Sequence, residues 1–160
     1  MPYSTLGAET GVGSSEAHRA LARAARVGLY LPDRRQVSPP HLIEFLLHGL
    51  QYLFPAQRTA PTRGVPTGWA APVLDGEIVF ADGDVPVWPH PEGTVRGVGL
   101  LPLHPNVPTV APSQPDFYAL LALTDAVREG RSRERRLAAD ELDRRIRHAL
   151  ASAPDSPALP

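Results

Sequence analysis

Side chains able to do chemistry are sparse in this sequence, and their spacing limits what they can do. His41 and His48 lie seven residues apart in an apolar stretch, two helical turns, so one face of a helix would carry both. The chain has no cysteine, no carboxylate completes a zinc set around that pair, and no H-E-x-x-H segment occurs. His90 and His104 stand in proline-rich stretches without ligand spacing. Gly11-Val12-Gly13 is too little for a dinucleotide loop, because no strand precedes it and a third glycine is missing. There is no G-x-S-x-G nucleophile turn, and Asp82 and Asp84 fall in a turn sequence where solvation accounts for both. All 16 Lys+Arg positions are arginine, which excludes Schiff-base chemistry and a phosphate-loop lysine. The expectation is a protein that is not an enzyme, with no catalytic, cofactor-binding or metal-binding residues.

What remains is recognition by arginine. The stretch from Ser4 to Ser38 reads as helix, tight turn, helix and short hairpin. Ser4 can cap a first helix carrying Leu6 and Ala8, with Gly7 small enough to admit another helix. Gly11 supplies a positive φ for a sharp turn, Val12 would pin that turn, and Gly13 or Ser14 can cap the next helix, with Glu16 in its first turn. Ala17, Ala20, Leu21, Ala24 and Val27 recur at helical spacing on one side, while Ser15, His18, Arg19, Ala22, Arg23 and Arg26 occupy the other. Gly28 closes the helix. Leu29-Tyr30-Leu31 and Gln36-Val37-Ser38 then flank the basic turn Pro32-Asp33-Arg34-Arg35.

This stretch resembles the winged helix-turn-helix of bacterial transcription regulators, broadly the MarR-like group. The resemblance implies that the second helix enters the major groove and that the hairpin, as wing, touches backbone or minor groove. By position it assigns DNA contacts to Ser14, Ser15, His18, Arg19, Arg23 and Arg26 on the helix, and to Arg34 and Arg35 on the wing. One departure stands out. Such domains carry a further helix before the turn unit, and only Met1-Pro2-Tyr3 precedes Ser4, so the expectation is either a chain that begins later than such domains do or a downstream or partner helix in that place. The alternative is an amphipathic helix pair with a solvated arginine face.

Composition fits local rather than global charge. The net charge is −1, yet residues 1–63 carry seven arginines against Glu9, Glu16, Asp33 and Glu44, a net of +3. Residues 64–113 carry Arg96 against five acids, a net of −4. No signal peptide or apolar run long enough for a membrane span is present, and cytoplasmic residence is the expectation.

Ser38-Pro39-Pro40 is a helix start, and the helix to Phe54 is apolar nearly all round, with Leu42, Phe45, Leu46, Leu50 and Leu53 on one face. It is expected to be a core or dimer helix. Residues 55–113 hold eleven of the 19 prolines, with strands expected at Glu77–Phe80 and Thr94–Val98, and with Val85–Trp88 joining a small sheet. Trp69 and Trp88 read as hydrophobic anchors. EFLLHGLQYLFPAQ, TRGVPTGWAAP and PVWPHPEGTVRG are similar to stretches of an uncharacterised bacterial family whose members begin with a winged helix-turn-helix, a resemblance that implies a regulator and no particular ligand. Two helices follow in 114–152, one led by Pro115-Asp116 and ended by Gly130, the next led by Ser132. Arg128, Arg131, Arg133, Arg135 and Arg136 are interleaved with acids there, so a solvated, ion-paired face is expected. Residues 153–160 read as a disordered tail.

The expected fold is therefore α+β and mostly helical: a winged helix-turn-helix plus long apolar helix over 1–54, a Pro/Gly-rich wrapping segment with short strands over 55–113, and a C-terminal helical pair. The expected function is sequence-specific binding of double-stranded DNA as a homodimer. The second reading is an antitoxin-like or adaptor subunit that clasps a protein partner through residues 55–113.

Overall fold

Two proline-led helix starts and a run of glycines set the architecture. The computed structural model describes residues 3–76 and 85–151. In order these form α1 (Tyr3–Thr10), α2 (Ser14–Arg26), β1 (Tyr30–Leu31), β2 (Gln36–Val37), α3 (Pro39–Glu44), a π-helical turn (Phe45–Gly49) and α4 (Leu50–Leu53). They continue with β3 (Arg58–Pro66), β4 (Pro86–Pro89), β5 (Val95–Leu100), α5 (Val107–Val110), α6 (Pro115–Glu129) and α7 (Ser132–Ala151). The class is α+β and mostly helical. The strand expected over Glu77–Phe80, the Ala81–Asp84 turn and the tail 153–160 lie outside the described residues.

The main core lies where α3, α6 and α7 meet, with Ile43, Leu123, Val127, Leu142 and Ile146 in contact and Leu74 closing it from the wrapping segment. The long apolar helix thus serves the core through α3 and Leu50, but its last turn does not. The amide of Leu50 bonds the carbonyl of Phe45, five residues back. That π-turn holds one residue more than an α-turn and rotates everything downstream by about 100°. Leu53, expected on the packed face, is consequently 66% exposed.

β3 pairs antiparallel with both β4 (Val65↔Trp88) and β5 (Thr62↔Gly97), and β4 meets β5 in parallel (Val87↔Gly99), closing a three-stranded barrel. So tight a closure needs glycine. A Cβ on Gly64 would stand 2.1 Å from the Trp88 carbonyl oxygen, and one on Gly97 would stand 2.0 Å from that of Val85. The barrel rests on α6 through a second cluster of Ala71, Trp88, Val107, Ala111 and Ala122. The Pro/Gly-rich segment therefore wraps α6, and Trp88 is one of its anchors.

Candidate nucleic-acid interface

Glycines four residues apart build the turn unit. A Cβ on Gly7 would meet the Val12 carbonyl at 2.7 Å and the Ser14 amide at 3.3 Å, so only glycine lets α2 start against α1. Gly11 adopts φ +72, the left-handed region. Gly13 is the N-cap of α2 in extended geometry, which leaves no capping side chain. Glu16 in the first turn suits the positive end of the helix instead.

Ala17 is the buried residue of α2. Ser14, Ser15, His18, Arg19, Arg23 and Arg26 all stand exposed, as their helical spacing required. Arg34 and Arg35 are exposed at the hairpin, where β1 and β2 pair as Tyr30↔Val37 and Leu31↔Gln36. Each strand has two residues, and the link between them is a 3₁₀ turn, Pro32–Arg34. Arg35 adopts φ 50, a left-handed backbone that costs a non-glycine residue about 1–2 kcal/mol. Among the described residues, the five guanidinium groups of this helix and hairpin have no hydrogen-bond or ion-pair partner. His18 is held edge-on by Tyr3, with ring centroids 4.8 Å apart.

A seam far away in sequence fixes this unit to the body. Asn106 Nδ2 donates to the Gly11 carbonyl, and Gln114 Nε2 donates to the Glu9 carbonyl. Val110 fills the space a side chain at Gly11 would need, its Cγ2 being 2.6 Å from that Cβ position. His104 Nε2 lies 3.7 Å from a Glu16 carboxylate oxygen across the same seam. The segment 104–114, with α5 at its centre, thus packs on α1 and the turn. Asn106 and Gln114 were not legible as partners, because nothing in the sequence relates a loop amide to a carbonyl about a hundred residues earlier.

The most buried charged residue among those described sits elsewhere. Asp125 on α6 accepts from Thr67 Oγ1 at 2.8 Å and from Trp88 Nε1 at 2.6 Å through Oδ2, and from Arg128 Nε at 3.1 Å through Oδ1. Arg128 also donates to the Phe54 carbonyl at 3.0 Å and the Leu101 carbonyl at 3.2 Å. Burial pushes the Asp125 carboxyl above the ordinary range, and the Arg128 charge followed by the hydrogen bonds of Thr67, Trp88 and Arg128 works against that. Burial likewise pushes the Tyr118 hydroxyl, which donates to the Pro66 carbonyl, up to about 12. No buried side-chain polar atom lacks a partner among the described residues. A carboxylate surrounded by donors and shut from water, with the arginine it pairs with, joins α4, the barrel and α6. Arg128, expected on a solvated, ion-paired face, is ion-paired but buried, and the expectation is corrected to this interior role.

The other arginines of the C-terminal helical pair divide in two. Arg144 and Arg145 bond Glu141, and Arg147 bonds Asp143, as the ion-paired face was expected to do. Those arginine contacts hold the Glu141 and Asp143 carboxyls below their ordinary range. The side chains of Arg131, Arg133, Arg135 and Arg136 are exposed and have no such partner among the described residues, which corrects the expectation at this end.

No family model, no curated protein and no solved structure matches the chain. No described helix is long and apolar enough to cross a membrane.

Proposed function

We propose that the protein binds double-stranded DNA sequence-specifically and regulates transcription, with α2 in the major groove and the hairpin on the backbone or minor groove. One observation carries this reading: eight polar or basic residues of α2 and the hairpin are exposed together, and the five arginines among them have no partner in the described fold. Arginine serves both needs, pairing with phosphates for register and with guanine edges for sequence. Ser14 and Ser15, at the amide-rich start of α2, suit a phosphate. A pair of copies on two half-sites would double the contacts of one short helix.

Retention of genomic fragments, including the region upstream of the gene, across a salt series tests the reading. Five phosphate contacts per copy would give a slope of log affinity on log salt of about −4 to −5 for a single bound copy and about −9 for a pair. Absence of retention at low salt overturns it. The partner-binding alternative draws less support from residues 55–113 themselves, because Val87, Trp88 and Leu100 of that segment are buried.

A further inference from the structure

A cleft of about 410 Å³ lies where the wrapping segment meets the start of α6 and the middle of α7. Its walls are apolar and poor in donors. Pro72, Pro112 and Pro115 have no amide N–H to offer, and the side chain of Val73 adds only hydrocarbon. Tyr118 lines the same cleft, with its ring tilted against Trp88 at 5.6 Å between centroids and its hydroxyl donating to the Pro66 carbonyl.

Two charged side chains line this cleft and are not closed on each other. Arg145 Nη1 stands 4.0 Å from Asp116 Oδ1, beyond hydrogen-bond distance. Arg145 is steadied through Nε, which donates to Glu141 Oε1 at 2.6 Å, while its terminal nitrogens hold no hydrogen bond among the described residues. Asp116 is fully exposed and accepts none. The neighbouring cleft, which shares Val73, offers no such open pair: its Arg144 is closed on Glu141 by two bonds, at 2.8 and 2.6 Å.

We propose that the cleft binds a free α-amino acid with an apolar side chain. The side chain would lie on Pro72, Val73 and Pro112, the carboxylate would accept from the Arg145 guanidinium, and the ammonium would donate to Asp116. Both ligand charges hang from one carbon, so a single molecule can bridge the 4.0 Å gap and meet both partners. The rim selects a zwitterion. A simple acid would set its carboxylate beside Asp116, and a simple amine would set its ammonium beside Arg145, each a like-charge contact without the compensating one. The volume is within the range of small-molecule sites.

The inference does not depend on DNA binding. The isotope-labelled full chain is titrated with L-leucine, L-methionine, L-phenylalanine and L-tryptophan while its amide resonances are followed. Expected are saturable shifts at Ala71, Val73 and Asp116–Ala119. For the amino acid that binds most tightly, the matching acid without the amino group and the matching amine without the carboxylate should each bind about tenfold or more weakly. Asp116→Asn and Arg145→Gln should each weaken the amino acid by the same factor. Both variants should melt with the wild type, since Asp116 accepts no bond and Glu141 keeps those from Arg144. Should Arg145→Gln melt lower, Asp116→Asn and the two analogues decide. The proposal is overturned by the absence of saturable shifts with all of the amino acids at about 10 mM, or by shifts centred elsewhere. Equal binding of the acid or of the amine, or undiminished binding by Asp116→Asn, overturns it too.

Discussion

Arg128 Nη2 lies 2.8 Å from Asp125 Oδ1, one turn earlier on α6, and the two side chains are only 3% and 1% exposed. The same guanidinium fixes the ends of α4 and β5 through their carbonyls, and the same carboxylate holds Thr67 and Trp88. One ion pair therefore joins helix, barrel and wrapping segment.

Replacing Arg128 with methionine should cost about 3–5 kcal/mol, because it leaves a buried carboxylate uncompensated and strands two carbonyls. Without the guanidinium, burial dominates and the Asp125 carboxyl moves further up. The folded state then holds a proton that the unfolded chain releases, so stability falls as pH rises from the ordinary aspartate range through the raised folded value. The melting-temperature gap between wild type and variant should be narrower at about pH 5 than at about pH 7. A gap independent of pH would show that Asp125 does not change its protonation.

Arg19→Ala combined with Arg23→Ala should abolish operator binding while changing unfolding free energy by less than about 0.5 kcal/mol, since both side chains are exposed and unpaired. A residual binding curve should have a salt slope smaller by about 2 for each bound copy. A large loss of stability would make the pair structural.

Asn106→Ala should loosen the turn unit without unfolding the body. The residue supplies a seam bond to Gly11, and neither α1 nor α2 contributes to the two main buried clusters. Hydrogen exchange should quicken in α1 and α2 by an amount equivalent to about 1–2 kcal/mol and stay unchanged in α6. Equal acceleration throughout would mean that the unit and the body open together.

Gly64→Ala should be among the most damaging small substitutions, because its Cβ would stand 2.1 Å from the Trp88 carbonyl oxygen, a backbone atom that cannot step aside. The overpacking cost should exceed about 1–3 kcal/mol, visible in urea unfolding. Gly13→Ala, whose Cβ meets nothing within 4 Å, is the control for added bulk.

Local order was legible in the residues. Gly11 between two helical runs, Ser38-Pro39-Pro40 and Pro115-Asp116 specify turns and starts through φ preference and capping, interactions within a few residues. The polar side of α2 follows from periodicity alone, so Ser14, Ser15, His18, Arg19, Arg23 and Arg26 are exposed where expected. Periodicity failed at Leu53 because the π-turn changes the count of residues per turn, and nothing in FLLHG announces it. It failed at Arg128 because an arginine among acids on a helix looks solvated until its neighbours are known. Those neighbours are Asp125, itself held by Thr67 and Trp88, and the carbonyls of Phe54 and Leu101, brought together when the barrel closes over α6. Sequence determined where the long helices run and which helix face is basic, but neither α5 nor β3, both inside the proline-rich stretch, was legible. Tertiary structure alone decided which charges are interior, which apolar side chains stay in solvent and what holds the turn unit, because each depends on contacts between residues far apart in the chain, formed only once the whole is folded.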